Sequence, residues 1–218
     1  MVAQKKIIVI GGTGYAGSAI VKEAARRGHA VTSVSRSIPD ARVDGVSYVT
    51  GDAMNATVPL GEADVVIGAL SPRGDNVGQL ASTYERLAAQ AQKADARLVL
   101  VGGFSCLRPA EGAPRMIESV AFPPEVPQAV VAEAKENMVV LNNLLADTSG
   151  LDWLFVSPGM DFSAWMPGED LGRYRVGGEV ALFDEQGKSA ISGIDYARAV
   201  LDEIDTPTVE RAQIGVAY

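Results

Sequence analysis

The stretch KIIVIGGTGYAG, from Lys6 to Gly17, constrains this chain more than any other. Lys6–Ile10 reads as a buried strand, and it runs straight into Gly11-Gly12-Thr13-Gly14-Tyr15-Ala16-Gly17. Beyond the glycines a helical pattern begins. Ala16, Ala19, Ile20 and Ala24 fall near one face of Ala16–Arg27, with the arginines late, as a helix end prefers. Gly11 permits the tight turn, and Gly14 lets backbone approach a pyrophosphate closely. Gly17 lets the helix pack on the strand, whose neighbouring helix N-terminus presents amides to the anion. Thr13, Tyr15 and Ala16 complete the expected phosphate loop. A glycine triplet alone says little; one at a strand–helix junction opening a βαβ unit has the context the mechanism needs.

The alternation continues. Buried-strand runs rich in Val, Ile and Leu recur at Ala30–Ser35, Val46–Thr50, Asp64–Ala69, Arg97–Val101 and Leu151–Ser157. Helical patterns start at Asp75 and at Pro127, the second closed by Gly150. Continuous apolar strands between helices predict an α/β fold: a Rossmann-type doubly wound parallel sheet with helices on both faces. The last third differs. Pro158–Gly168 is a loop of Gly, Met and aromatics, and Arg173–Phe183 reads as a hairpin turning at Gly177–Gly178. Ser192 and Asp195 form a capping box for a helix over Tyr196–Ile204, and Arg211–Ala217 reads as the last strand. A single domain over residues 1–218 is expected, with 158–194 a small substrate-side region. The proline-rich stretch Cys106–Pro127 has the character of a lid or substrate wall.

Charge narrows the partners. Lys plus Arg is 19 and Asp plus Glu is 27, a formal charge of −8, which repels phosphate backbones and anionic lipid. No nucleic acid or membrane partner is expected, and no apolar run approaches the roughly 20 residues of a spanning helix. The start shows no cleavage pattern after its short apolar run. The lone Cys106 argues for a reducing compartment, so the expected location is cytoplasmic. The single histidine, His29, excludes most histidine-based metal sites and triads, and no metal is expected. The expected partner is a small molecule, with the chain a monomer or homodimer.

The second strand ends in Ser35-Arg36-Ser37, where an NAD-binding protein usually places an acid for the ribose diol. Arg36 can instead bind a 2′-phosphate and lay its guanidinium on adenine, and no acid in this turn repels that phosphate. NADP(H) is the expected cofactor.

These residues, with Gly51-Asp52 after the third strand and Ser157-Pro158-Gly159 at a later strand end, resemble the atypical short-chain dehydrogenase/reductase superfamily. Within it the chain is most similar to the small biliverdin-IXβ reductase/flavin reductase-like group of NAD(P)-binding, NAD-dependent epimerase-like proteins. The segments Gly172–Glu179, Ile191-Ser192 and Asp195-Tyr196-Ala197 strengthen the likeness. The resemblance implies that Asp52 accepts the adenine amino group, with Ala53 beside it. It implies that Ala69, Leu70 and Ser71 pass under the nicotinamide-side ribose, and that Gly102, Gly103 and Ser105 approach the nicotinamide. Ser157, Pro158, Gly159 and Met160 would border the carboxamide and the substrate mouth.

The departure from the superfamily matters as much. Most members use a Tyr-x-x-x-Lys pair as general acid, and no tyrosine here has a lysine four residues on. Lys135 lies about where such a lysine belongs, but Val131 precedes it by four. A conjugated ring can take hydride and draw its proton from water, leaving the protein to hold two rings face to face. The expected function is therefore NADPH-dependent reduction of a planar acceptor of flavin, quinone or tetrapyrrole type. The alternatives are an NADP(H)-binding sensor without turnover and a nucleotide-sugar epimerase or dehydratase. Ser105 is the candidate catalytic residue, with a strand-end cap as its plainer role. Cys106 reads as an inert thiol, Arg173 and Arg175 as a solvated face. Phe104, Phe122, Phe162, Trp165 and Met166 are candidates to wall an aromatic pocket.

Overall fold

Strand β1 (Lys6–Ile10) lies third in an eight-stranded sheet, and its alternation explains both layers around it. Successive side chains point to opposite faces, so Ile7 and Val9 enter one core and Ile8 and Ile10 the other. The computed structural model describes residues 3–56, 58–73, 76–119 and 122–218. β1 pairs in parallel with β2 (Ala30–Ser35) and β4 (Val65–Gly68). Outside β2 lies β3 (Ser47–Thr50); outside β4 follow β5 (Arg97–Val101) and β6 (Trp153–Pro158). The far edge carries β7 (Arg175–Gly177) and β8 (Ala212–Ala217), giving the order β3-β2-β1-β4-β5-β6-β8-β7. Every pairing is parallel except β7 with β8.

Helices α1 (Tyr15–Arg26) and α5 (Gly193–Asp205) cover one face. Their Ile20, Val21, Tyr196, Val200 and Ile204 meet Ile7, Val9, Ile67 and Leu154. On the other face Tyr84 and Leu87 of α2 (Leu80–Lys93) meet Ile8, Ile10, Leu98 and Phe155. The short α3 (Met116–Ser119) precedes α4 (Gln128–Leu145), whose Met138, Leu141 and Leu144 complete this second layer. Chain direction across the sheet reverses between β1 and β4, which opens a crevice at the carboxyl ends of those strands, the place where open α/β sheets bind ligands.

Three expectations need correction. Arg173–Phe183 is not a hairpin: Val176 pairs with Val216 of β8, and beyond Gly177 the chain leaves to bridge Val180 with Arg108. A free edge strand offered the first half more ladder bonds than a two-residue turn could. The helix expected from Asp75 begins at Leu80; Asp75 itself lies outside the described residues. The capping box is half formed. Ser192 Oγ accepts the Asp195 amide at 3.1 Å, but the Ser192 amide donates to the Tyr218 hydroxyl at 3.0 Å. Asp195, fully buried, instead accepts from Leu171 and Tyr218 and pairs with Arg198.

Candidate functional site

The loop after β1 is built from glycines that the protein itself requires and one that it does not. Gly11 turns at φ +84°, and a Cβ there would collide with the Ala69 carbonyl oxygen. A Cβ at Gly17 would collide with the Gly11 carbonyl, so α1 rests directly on the turn. Gly14 closes that turn through its amide, which donates to Gly11 O at 3.0 Å. Yet a Cβ at Gly14 would meet only Gly11 O, at 3.4 Å, and the space beyond is open. Gly14 is also the N-cap of α1, with no side-chain cap and no acid in the first turn. The amides of Tyr15, Ala16 and Gly17 thus face this opening without a capping side chain, an arrangement that fits a pyrophosphate. The Thr13 amide donates to Ser35 Oγ at 3.2 Å, tying the loop to the end of β2.

The Tyr15 side chain serves the fold. Its hydroxyl donates to Pro167 O at 2.7 Å and accepts the Gly193 amide at 2.7 Å, while its ring meets Phe162 edge-on at 5.0 Å. Burial pushes this phenol above its ordinary pKa. The loop over the substrate side is therefore fastened to the phosphate loop.

At the next strand ends stand Arg36 and Asp52. Ser35 pairs with Thr50, and Gly51 donates to Ser35 O at 2.9 Å, so the residues after β2 and β3 emerge side by side. Asp52 accepts from Asn55 Nδ2 at 2.8 Å and from the Met54 amide at 3.0 Å. Chiefly the Asn55 bond, with the Met54 amide and the charge of Arg36 adding to it against burial, holds this carboxyl below its usual range. Arg36 itself is exposed, and among the described residues no hydrogen bond or ion pair engages it. The Asp52 carboxylate near Arg36 was hidden in the sequence, because strand register rather than spacing brings them together. Ala53 packs on the core and its carbonyl accepts from Arg86 at 3.0 Å.

Further along the crevice, the Ala69 amide donates to Ile10 O and the Leu70 amide to the Tyr84 hydroxyl, at 2.8 and 2.9 Å. Ser71 Oγ donates to Glu133 Oε1 at 3.2 Å. After β5, Gly102 has no room for a Cβ beside the Phe155 ring, and Gly103 lies beneath the Asn137 amide. Ser105 sits in the 3₁₀ turn Phe104–Cys106, half-buried, and its hydroxyl has no partner among the described residues. Burial pushes the adjacent Cys106 thiol up to about 12, in keeping with an inert cysteine. Lys135 points to solvent, off the crevice; the α4 residues that face it are Glu133 and Asn137, which sequence reasoning missed.

At the end of β6 the four expected residues part company. Ser157 is fully buried, its hydroxyl accepting from Gln213 Nε2 at 3.0 Å, and Pro158 is buried with it. Gly159 lies against the Ala190 backbone, and only Met160 is exposed. Buried Arg115 ties Gln213 to the Cys106 carbonyl and so anchors the turn that carries Ser105. Of the expected aromatic wall, Phe162 packs on Tyr15 and Tyr196, Phe104 meets Phe183 edge-on at 6.2 Å, and Trp165 is 87% exposed. His29 is buried beside Asp205.

All six tyrosine hydroxyls are engaged by the protein. Besides Tyr15, those of Tyr48 and Tyr84 accept backbone amides, Tyr174 donates to Asp202, Tyr196 to Val156 O and Tyr218 to Asp195. Among the described residues no three His, Cys, Asp or Glu side chains are grouped to hold a metal, and no helix is long and apolar enough to cross a membrane.

Comparison with known proteins agrees with the fold and gives the family. A sequence model of the family described as NAD(P)H-binding matches residues 11–207. The uncharacterised protein YwnB of Bacillus subtilis is 33% identical over 214 residues, 93% of each chain. The crystal structure of a candidate NADH-flavin reductase from Streptococcus pneumoniae superposes with a TM-score of 0.83 at 30% identity, covering 98% of this chain and 99% of that one. A candidate epimerase from Bacteroides thetaiotaomicron gives 0.81 at 30% identity, covering 99% and 98%.

Proposed function

The chain belongs to the NAD(P)H-binding family, in the atypical short-chain dehydrogenase/reductase group, and from that premise we propose that it is an NADPH-dependent reductase of a planar conjugated acceptor. An NAD(P)H-dependent oxidoreductase is the coarser reading; the phosphate on the cofactor and the nature of the acceptor are our own inference. The observation that carries it is the placement of the tyrosines. The hydroxyls of Tyr15, Tyr174, Tyr196 and Tyr218 donate within the protein, Tyr84 is buried beneath the Leu70 amide, and Tyr48 lies on the edge strand β3, so none is presented to protonate an alkoxide.

When bound, the dihydronicotinamide supplies hydride. The chain's own residues would bind and orient. The amides at the start of α1 face the pyrophosphate, and Arg36 meets the 2′-phosphate beyond β2. Gly102 and Gly103 let the redox end lie close to backbone, and Ser105 offers a free hydroxyl beside it. Exposed Met160, Met166 and Trp165 supply apolar surface on the side where a ring would stack. A flavin, quinone or linear tetrapyrrole matches such a site, because it accepts hydride into a conjugated system and takes its proton from water. The absence of any disulfide pair in the chain favours the cytoplasm.

Steady-state NADPH oxidation with a panel of flavins, quinones and linear tetrapyrroles tests this reading, corrected for the rate without protein. Saturable turnover of at least one conjugated acceptor is expected. Tight NADPH binding with no turnover of any acceptor would favour a cofactor sensor instead, and turnover only of a nucleotide sugar would favour an epimerase.

A further inference from the structure

Helix α4 lays a polar pair over the carboxyl ends of β4 and β5. Glu133 and Asn137 stand one turn apart on the same face, with Lys135 between them turned to solvent. Ser71 Oγ donates to one oxygen of Glu133 at 3.2 Å, and Arg73 Nε approaches the other at 3.3 Å. Each oxygen keeps a further lone pair. Asn137 is only 6% exposed. Its Nδ2 donates to the Glu133 backbone carbonyl at 3.0 Å, and a Cβ at Gly103 would meet that same nitrogen at 3.5 Å. Its Oδ1 has no partner among the described residues. That oxygen is not closed off from solvent, so it is free to accept from a group bound in the crevice.

We propose that Glu133 and Asn137 hold the ribose next to the nicotinamide, each accepting hydroxyl hydrogens of its vicinal diol. The assignment rests on the NADP(H) reading above. A carboxylate is an acceptor only, and a diol offers two donors; the same chemistry explains the acid that NAD-binding proteins set on their other ribose. Position agrees with chemistry, since Ser71 ends the β4 loop and Gly103 the β5 loop, on either side of the crevice. The spacing Glu133-x-x-x-Asn137 also occupies the helix on which a Tyr-x-x-x-Lys pair would lie. The positions of such a pair would be Val131 and Lys135; two residues on from each, the face of α4 toward the crevice carries an anion and an amide. It therefore fixes the sugar, and through it the exposed face of the ring, without offering an acid. Glu136, on the neighbouring position, caps α2 through the Gly78 and Leu80 amides at 2.7 and 2.8 Å and so fixes the rotation of α4 that aims the pair.

Two ligands separate this role from every other contribution to binding: NADPH, and 2′,5′-ADP, which lacks the nicotinamide riboside. Both are titrated by calorimetry into the wild type, Glu133→Gln and Asn137→Ala, with thermal melts as the folding control. NADPH should bind each variant roughly tenfold more weakly, the loss of about one hydrogen bond near a charge, while 2′,5′-ADP binds all three alike. Glu133→Gln conserves shape and keeps the measurement decisive if Asn137→Ala disturbs packing. NADPH affinity unchanged in Glu133→Gln, or an equal loss for 2′,5′-ADP, would overturn the assignment alone. If neither ligand bound the wild type, the NADP(H) reading would fall and this assignment with it.

Discussion

The Tyr15 hydroxyl and the Gly193 amide meet at 2.7 Å, joining the first turn of α1 to the first residue of α5. The same hydroxyl donates to Pro167 O, so one phenol spans the phosphate loop and the substrate-side loop. Tyr15→Phe keeps the ring contact with Phe162 and removes both hydrogen bonds. It should lower unfolding free energy by about 1–2 kcal/mol and speed proteolysis within residues 160–172. Denaturant titration with timed digestion measures both, and an unchanged midpoint would show that the strap does not hold the loop.

The glycines of the phosphate loop should separate by function. Gly17→Ala drives a methyl into the Gly11 carbonyl and should lower the melting temperature sharply. Gly14→Ala meets only an atom at 3.4 Å and should leave melting nearly unchanged while weakening NADPH binding severalfold. Melts and cofactor titrations on the two variants decide this, and an unstable Gly14→Ala would mean that Gly14 serves the turn rather than a ligand.

Ser105 should help rather than decide. With no partner for its hydroxyl among the described residues, Ser105→Ala should cost turnover roughly tenfold to a hundredfold, about 1.5–3 kcal/mol for a bond near a charge. Complete loss of turnover with intact NADPH affinity would make it an obligatory proton donor, contrary to a proton drawn from water.

Acid should loosen the end of the sheet remote from the crevice. Burial pushes the Glu23 carboxyl up, but its hydrogen bonds to Arg26 and Arg27, with their charges, outweigh this and hold it below its ordinary value. A carboxyl that titrates lower folded than unfolded stabilises above the carboxylate range, and loses that contribution as pH falls. Glu23→Gln should therefore cost about 1 kcal/mol at pH 7, and the gap should close as pH approaches 3. Melting both proteins across this range checks it; a gap that widened in acid would reverse the sign.

Local signals made the central fold legible. The glycine spacing after Lys6–Ile10 and the apolar runs of Ala30–Ser35 and Arg97–Val101 depend on neighbours in sequence, and those strands stand where they were expected. Long-range pairing hid the rest. Val176 chose Val216 over its own turn, and no spacing within 173–183 announces that partner. Glu133 and Asn137 escaped notice because the rotation of α4 is set by contacts such as Glu136 with the start of α2, while Lys135, the conspicuous cation, stands two residues from each, on the solvent side of the helix. The Tyr15 phenol looked like part of the phosphate loop, and its partners lie far along the chain at Pro167 and Gly193.

The choice of cofactor tests the account most directly. Arg36 is exposed and unpaired among the described residues, just beyond β2, with Ser35 and Ser37 beside it and Asp52 already committed to Asn55 and Met54. A charge-assisted bond of about 1.5–3 kcal/mol corresponds to roughly tenfold to two-hundredfold in affinity, so NADPH should bind more tightly than NADH by that factor, and added salt should narrow the difference. Titrating both cofactors into wild type and Arg36→Ala should show NADPH weakened strongly and NADH little; equal affinities in the wild type, or equal losses in the variant, would contradict it.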